Sequence, residues 1–278
     1  MTNALFSSVG IAGIGLIGGS LAKDIRTFGL ADRIVGWNRT PAHGERALEL
    51  GLVDSLVASP EALVAECELT VLAMPVDVLV RQLPGLLNAL QRPEQIVIDV
   101  GSTKQAIVNA IAAHPRRAQF VACHPMAGTE KSGPDAAVDN LFRNRFTLFI
   151  DSEASAPQAL AKVQALWQGV GSILATLSAA EHDQTAALLS HMPHVIAYAL
   201  ARTIKEAERN QALNARFAGG GLASMTRIAH SPISMWQPIF RQNKAALLMA
   251  IDTFSAHFAT FRQAIADEDA AALEALMH

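Results

Sequence analysis

Along the first two thirds of the chain, short apolar runs alternate with amphipathic stretches of helical spacing. The apolar runs predict strands that begin at Val9 and continue at Arg33–Asn38, Leu69–Met74, Ile96–Val100, Gln119–Cys123, 147–151 and 172–177. The stretches between them predict helices at Pro41–Leu50, Glu61–Ala65, Val76–Leu90, Thr103–Ala113 and 157–169. This alternation predicts a parallel sheet with helices on both of its faces.

The pattern changes at about residue 179, after which the apolar spacing is that of helices only. A long helix is predicted at Glu181–Arg209, kinked by Pro193, and another at 241–265. Gly219–Gly221 predicts a loop. Ser231-Pro232 has the N-cap and first-turn chemistry of a new helix. The second part of the chain is therefore expected to be all helical.

These patterns divide the 278 residues into an α/β domain at 1–178 and an all-α domain at 179–278. The last long helix has an apolar face, which is formed by Ala246, Met249, Phe254, Phe258 and Phe261. A face of this kind needs a partner surface, and the first domain can cover only some of it. A symmetric homodimer with helices of two subunits packed together would cover the rest.

The first strand is followed directly by a glycine pattern, Gly13-x-Gly15-x-x-Gly18, with Leu16 and Ile17 inside it. An amphipathic helix pattern comes next, which is the order that the dinucleotide-binding fingerprint requires. Gly13 permits a tight turn, Gly15 lets a pyrophosphate approach the backbone, and Gly18 lets the helix pack close to the strand. The free N–H groups at the helix start would then hold the phosphates. The first domain is thus expected to be a Rossmann-like dinucleotide-binding domain.

Two strand ends bear on the cofactor. The second strand ends in Asn38-Arg39-Thr40, where enzymes that use NAD usually have an acidic residue. Arg39 and Thr40 could bind a 2′-phosphate instead, which favours NADP over NAD; alternatively, Arg39 is a solvated loop residue. Met74 and Pro75, after the third strand, could line a nicotinamide pocket, although a proline at a helix start is also ordinary.

Two further strand ends provide candidate chemistry. The fourth is followed by Asp99–Lys104, in which Ser102 could be a helix N-cap, a catalytic residue, or both. The fifth ends in His124, followed by a loop rich in proline and glycine. Ligands bind at the carboxyl ends of the strands in such sheets, and histidine suits proton transfer near neutral pH. The stretch Thr129–Gly133 could be a mobile lid.

Composition excludes several classes of protein. The net charge of −3, with no long run of one sign, argues against nucleic-acid or membrane-surface binding. Cys67 and Cys123 are the only cysteines, which indicates reduced thiols in a cytoplasmic protein. No signal peptide or membrane span is expected.

Histidines of the helical part are candidate metal ligands. His191 and His194 have a usable ligand spacing, with His182 and Asp183 nearby. No cysteine or carboxylate set completes the site, and no metal is expected.

The chain resembles the prephenate and arogenate (cyclohexadienyl) dehydrogenases, which make the precursors of tyrosine. The resemblance covers nearly the whole sequence. Beyond the glycine loop and Asp99–Lys104, it rests on His124–Gly133, Ser190-His191-Met192-Pro193-His194, Thr226-Arg227-Ile228-Ala229 and Met235-Trp236. The histidine loop and the Ser-His-x-Pro-His segment, in this order, are the specific features.

The resemblance implies oxidative decarboxylation. A cyclohexadienyl substrate gives a hydride from its ring C4 to the nicotinamide, its 4-hydroxyl loses a proton, and the ring carboxylate leaves as CO2. By similarity His124 takes that proton or polarises the O–H bond, and Ser102 bonds the hydroxyl or orients His124. Arg227 holds a substrate carboxylate, which suits the two parallel hydrogen bonds of a guanidinium. The family also implies a homodimer.

The residues around the substrate side chain are implied less specifically. By similarity His194 contacts that side chain and His191 supports the pocket, while Thr129, Glu130 and Trp236 are further candidates. The sequence leaves open whether the side chain is the keto acid of prephenate or the amino acid of arogenate.

Two other functions compete with this interpretation. A β-hydroxyacid dehydrogenase has the same two-part architecture and often the same Asn-Arg-Thr strand end. It would place a catalytic lysine where this chain has His191 and His194. A redox sensor that binds NADP without catalysis is the second alternative, which the intact His124, Ser102 and Arg227 argue against.

Overall fold

The computed structural model describes residues 4–210, 214 and 217–278, and within them eight strands form one sheet. The strand order is β3-β2-β1-β4-β5-β6-β7-β8. The strands are β1 Val9–Ala12, β2 Ile34–Trp37, β3 Ser55–Leu56, β4 Leu69–Leu72, β5 Ile96–Asp99, β6 Phe120–Pro125, β7 Phe146–Ile150 and β8 Ile173–Leu177. The first six strands have the order of a doubly wound dinucleotide-binding domain, in which ligands bind where the order reverses, beside β1 and β4.

Helices cover both faces of this sheet, as the alternating pattern predicts. The helices of the first part are α1 Leu16–Thr27, α2 Pro41–Glu49, α3 Pro60–Glu66, α4 Val76–Asn88, α5 Gln105–Ala110 and α6 Pro157–Gly169. Leu21 of α1 and Trp167 of α6 belong to one buried apolar cluster. Leu63 of α3, Leu83 of α4 and Ile107 of α5 belong to another, which includes alternate residues of the same strands.

The expectation of an entirely parallel sheet is wrong at one pair of strands, because β7 runs antiparallel to β6. The connection between them contains only a short 3₁₀ turn at Pro134–Ala136, so no helix carries the chain back across the sheet. A parallel pair needs such a crossover. β7 and β8 are joined by α6 and are parallel to each other. The short strand β3 was not predicted.

The described residues after Ser178 lie mostly in helices. These helices include α7 Ala179–Ala186, α8 Met192–Arg209, α9 Gly220–Thr226, α10 Ile233–Gln242, α11 Lys244–Ala266 and α12 Ala270–Met277. None of the described helices is long and apolar enough to cross a membrane. The described elements change from strand-containing to helical at Ser178, which caps α7 in a reciprocal box with Glu181. The division into domains at residues 178 and 179 stays a prediction.

Four features of the helical part differ from the prediction. The kink expected at Pro193 is a π-helical turn at Ala187–His191, and Pro193 lies in the first turn of α8, where its missing N–H is harmless. Gly220 and Gly221 belong to α9 rather than to a loop. Pro232, not Ser231, occupies the N-cap of α10. The predicted helix at 241–265 begins only after a break at Asn243.

Candidate active site

The glycine loop between β1 and α1 has the geometry of a dinucleotide site. Gly13 has φ +96°, and a Cβ there would lie 2.2 Å from the carbonyl oxygen of Ala73. A Cβ on Gly18 would lie 2.2 Å from the carbonyl oxygen of Gly13. At Gly15, by contrast, the nearest heavy atom to a Cβ would be 3.9 Å away. Gly13 and Gly18 are therefore required by packing, whereas Gly15 leaves room above the N-terminus of α1, where backbone N–H groups favour phosphate.

A cavity of about 640 Å³ extends from this loop to the helical part of the chain. Its walls come from the ends of β1, β4, β5 and β6 and from α8 and α10. Most of the predicted site residues line it: Gly13, Gly15, Leu16, Ile17, Gly18, Ser102, His124, Thr129, Glu130, His194, Arg227 and Trp236. The fold thus brings together residues that are more than 200 positions apart in the sequence.

The second predicted cofactor segment lies beside this cavity rather than in its wall. β2 pairs with β1 so that Trp37 is opposite Ala12, and Asn38-Arg39-Thr40 therefore follows at the edge where the glycine loop begins. The Arg39 side chain is exposed, and no described residue forms an ion pair with it.

The predicted nicotinamide contact by Met74 and Pro75 is not found in the described wall of the cavity, where Ala73 takes that place. Met74 is buried in an apolar cluster, and Pro75 is the exposed N-cap of α4. This geometry agrees with the alternative interpretation, in which Pro75 is an ordinary proline at a helix start.

Ser102 is not the N-cap that its position suggests. α5 begins at Gln105, later than predicted. The carboxylate of Asp183, from α7, accepts the backbone N–H of Lys104 at 2.8 Å and that of Gln105 at 3.1 Å. The side chain of Asp183, distant in sequence, therefore caps the helix. Ser102 does not serve as the cap and lines the cavity.

Beneath this loop lies a buried ion pair that the sequence reasoning missed. Lys104 Nζ lies 2.5 Å from Asp99 Oδ2, and both side chains have no exposure to solvent. Lys104 also donates to the backbone carbonyl of Cys123, and Asp99 accepts the backbone N–H of Gly101 at 2.8 Å. The pair joins the ends of β5 and β6, which are the strands that present Ser102 and His124.

His124, the predicted proton acceptor, is the first member of a buried hydrogen-bond chain. Its Nδ1 lies 2.7 Å from Nε2 of His182, and His182 Nδ1 lies 2.8 Å from Oδ1 of Asp183. His124 is 8% exposed and lines the cavity, while His182 has no exposure. The ring nitrogen of His124 that remains for the cavity is therefore Nε2. The sequence suggests His182 and Asp183 only as candidate metal ligands, whereas in the structure they bond to each other.

The electrostatics of the site favour neutral histidines and an ionised carboxylate. Burial, followed by the charges of His182, Lys104 and His191, holds the pKa of His124 well below its usual value. Burial likewise lowers the pKa of His182, although Asp183 opposes this effect. Burial acts to raise the pKa of Asp183, but the hydrogen bonds from His182, Lys104 and Gln105 together lower it. At neutral pH His124 can therefore accept a proton.

The helical wall of the cavity is built around Trp236. The His194 ring stacks on it with centroids 3.5 Å apart, and His194 Nδ1 lies 2.9 Å from the Ser190 carbonyl oxygen. His191, which the resemblance implies as a support of the pocket, is fully buried and absent from the cavity wall. Its ring packs edge-on against Trp236, and its Nδ1 lies 3.0 Å from Nδ2 of Asn243. His191 thus supports the wall from behind, because the π-helical turn directs it inward.

At the mouth of the cavity, Arg227 Nη1 lies 2.6 Å from Glu130 Oε2. Arg227 is 59% exposed and Glu130 is 26% exposed. The backbone N–H of Glu130 itself, and then Arg227, hold the pKa of this carboxyl below its usual value. The loop after β6 is thereby connected to the helical part across the cavity. Within the part of the chain that the structure describes, no three His, Cys, Asp or Glu side chains are grouped to hold a metal ion.

Two family models match the chain. Residues 21–176 match the nucleotide-binding domain of prephenate dehydrogenase, and residues 178–278 match the dimerization domain of the same family. Together they cover most of the sequence.

Individual relatives agree with these matches. A prephenate dehydrogenase of Bacillus subtilis (strain 168) is 35% identical over 96% of this chain and 72% of its own length. A cyclohexadienyl dehydrogenase of Zymomonas mobilis is 31% identical over 95% of this chain and 90% of its own length. The prephenate dehydrogenase of A. aeolicus, solved in complex with hydroxyphenyl propionate and NAD+, superposes with a TM-score of 0.86 at 28% identity, over 100% of this chain and 96% of that one. The chain belongs to the prephenate dehydrogenase family of NAD(P)-dependent oxidoreductases.

Proposed function

We propose that this protein oxidatively decarboxylates prephenate, arogenate or both, giving 4-hydroxyphenylpyruvate or tyrosine. One observation supports this most directly: a single cavity holds the glycine loop at one end and His124, Ser102 and Arg227 at the other. A bound nicotinamide supplies the hydride acceptor. The protein side chains then have two tasks, to remove the hydroxyl proton and to hold an anionic substrate.

His124 removes the proton. Its Nε2 faces the cavity, and its lowered pKa keeps it neutral near pH 7. As the hydride leaves ring C4, the 4-hydroxyl proton passes to His124, the bond to the ring carboxylate breaks, and its electrons complete the aromatic ring as a phenolate. The proton then returns from His124 to the phenolate oxygen, which gives the phenol of the product and restores the neutral histidine. Ser102 lines the same cavity and is placed to bond the hydroxyl oxygen.

Arg227 holds a carboxylate of the substrate. In this structure its guanidinium bonds to Glu130, so a substrate carboxylate would replace that partner. His194 and Trp236 form the wall next to it, and Thr129 belongs to the same loop as Glu130. We infer that these four residues surround the substrate side chain, with Glu130 suited to accept the ammonium group of arogenate.

NADP is the proposed cofactor. The space above Gly15 and the N-terminus of α1 fits a pyrophosphate. Arg39, which follows β2 and has no ion-pair partner among the described residues, fits a 2′-phosphate. The A. aeolicus relative was solved with NAD+, so the proposal depends on Asn38-Arg39-Thr40 of this chain. Km for NADP is expected to be lower than for NAD, and Arg39→Ala is expected to remove the difference. A preference of the unaltered protein for NAD would refute it.

We further infer a homodimer formed through the helical domain. Large apolar side chains are exposed on its helices: Leu188 50%, Leu189 71%, Met249 70%, Phe258 63% and Ile265 63%. Large exposed apolar patches mark interaction sites on proteins, and side chains of this kind would be buried between two subunits. Sedimentation at micromolar concentration is expected to show a dimer, and a monomer alone would contradict the inference.

Initial rates test the proposed activity. Each of the two substrates is incubated with NADP and with NAD, and reduced cofactor, CO2 and the aromatic product are measured. Equal amounts of all three support oxidative decarboxylation. Cofactor binding without turnover of either substrate would favour the redox sensor instead, and turnover of small hydroxy acids would favour a β-hydroxyacid dehydrogenase.

A further inference from the structure

The buried hydrogen bonds that link His124, His182 and Asp183 determine which ring nitrogens carry protons. Asp183 accepts three N–H groups, from His182 and from the backbone of Lys104 and Gln105. Only an ionised carboxylate suits this pattern, since each oxygen already faces a donor. Nδ1 of His182 must therefore carry a proton. Because burial keeps His182 neutral, its Nε2 carries a lone pair and acts as an acceptor.

The same logic assigns the tautomer of His124. Its Nδ1 lies 2.7 Å from the lone pair of His182 Nε2, so Nδ1 must be protonated and donate. A neutral imidazole has one proton on its two nitrogens, which leaves Nε2 of His124 bare. Nε2 is the atom that remains for the cavity. In the opposite tautomer the lone pair would face His182, and the ring could not take a proton from a substrate.

We propose that His182 and Asp183 are positioning residues that hold His124 in the tautomer with its basic nitrogen in the cavity. The proposal rests on the proposed function for its kinetic consequence, though the tautomer itself does not. Neither residue reaches the substrate, since His182 has no exposure and neither lines the cavity. They act through the orientation of His124, as the carboxylate of a catalytic triad acts through its histidine.

The same hydrogen bonds stabilise the positive charge that proton transfer creates on His124. When the substrate O–H bond breaks and an N–H bond forms at Nε2, His124 becomes a cation in a buried site near the cation of Lys104. Its Nδ1–H remains hydrogen-bonded to His182, and the negative charge of Asp183 lies at the far end of the chain. Hydrogen bonds that lead from a cation to a buried anion strengthen one another.

Asp183 has a second task in the same site. By binding the N–H groups of Lys104 and Gln105, it fixes the loop that carries Ser102. Its backbone carbonyl accepts Nδ2 of Asn243 at 2.7 Å, which ties α7 to the break between α10 and α11. One residue of the helical part therefore positions both the loop of Ser102 and the ring of His124.

Nitrogen NMR of 15N-histidine-labelled protein tests the assignment without any substrate. In the unaltered protein, His124 is expected to show a protonated Nδ1 and a bare Nε2. His182→Leu removes the acceptor, while Asp183 Oδ1 keeps the Lys104 N–H. His124 is then expected to shift toward the tautomer protonated at Nε2. His182→Gln offers both an amide donor for Asp183 and a carbonyl acceptor for His124, and is expected to keep the original tautomer.

Kinetics add a readout that a merely structural role would not change. His182→Leu is expected to lower kcat by about 10²-fold, since the general base is misdirected, with Km nearly unchanged. His182→Gln is expected to recover much of that loss. Dinucleotide binding by both variants shows that they fold.

Three results would overturn the proposal. The first is a protonated Nε2 on His124 in the unaltered protein, which needs no variant to fold. The second is an unchanged tautomer in His182→Leu, and the third is an equal loss of kcat in both variants. Failure of the unaltered protein to oxidise prephenate or arogenate would instead remove the proposed function, and the tautomer comparison would still decide the role of His182.

Discussion

The buried Lys104–Asp99 pair gives the most demanding prediction for stability. In Lys104→Met the cation is replaced by an apolar side chain of similar length, and Asp99 loses its counterion. Asp99 Oδ2 would keep only the N–H of Gly101, and Oδ1 already has no described partner. The carboxylate would thus be an uncompensated charge in a site with no exposure to solvent.

The expected cost follows from that burial. Removing one partner of a buried ion pair costs about 3–5 kcal/mol, because the remaining charge stays desolvated. For a chain of this size, that corresponds to a fall in Tm of roughly 6–20 °C. Replacing both charges is expected to cost less, so Lys104→Met combined with Asp99→Asn should recover most of the loss.

Thermal unfolding at a fixed protein concentration and scan rate measures both effects. Lys23→Met is a matched control, because Lys23 pairs with Asp139 at 3.5 Å and the two side chains are 32% and 63% exposed. That pair is worth at most about 1 kcal/mol. A fall in Tm no larger for Lys104→Met than for Lys23→Met, or no recovery in the double variant, would refute the reasoning.

Three further predictions concern the glycine loop and two histidines. Gly15→Ala is expected to keep the Tm of the unaltered protein and to weaken dinucleotide binding, whereas Gly13→Ala is expected to lower Tm, because Gly13 has φ +96° and no room for a Cβ. Thermal melts and fluorescence titration with reduced cofactor distinguish the two variants. Equal Tm values for the two variants would contradict the geometry. Because burial lowers the pKa of His124, kcat/Km is expected to hold at pH 6.5 and to fall only at lower pH, and a fall centred above 6.5 in a rate profile would contradict this. Burial lowers the pKa of His191 from 6.5 to about 4, so the unfolded chain binds the proton more readily than the folded protein does. The contribution of His191 to the free energy of unfolding is therefore complete above pH 6.5, and about 3 kcal/mol of it is lost as the pH falls to 4. Melting curves should show a smaller acid-induced drop in His191→Gln, and an equal drop would count against the assignment.

Much of the first domain could be predicted because the signals are local. The alternation of apolar runs and helical spacing located the sheet, and the spacing of Gly13, Gly15 and Gly18 located the turn. The direction of β7 was not predictable in this way. It depends on the absence of a crossover helix after β6, and the loop there has no pattern that distinguishes a crossover from a return.

The candidate residues at strand ends could also be predicted, since the edge of a parallel sheet is known in advance. The residues that position these candidates could not be predicted from the sequence. Asp183 caps α5 from 79 positions away, and Ser102 had seemed the natural local cap. Lys104 appears in sequence as a charged residue after a strand, yet it is fully buried. The signal that the sequence did offer is the polar pair His182-Asp183, which lies in α7, the first helix after the last strand.

The exchange of His124 for asparagine tests the central claim most directly. Asparagine keeps a polar side chain but cannot take a proton near neutral pH. We predict that His124→Asn loses about 10²–10⁴-fold in the rate of prephenate- or arogenate-dependent cofactor reduction while its affinity for the dinucleotide is unchanged. A variant that keeps the rate of the unaltered protein would contradict the account, because proton removal would then not depend on His124.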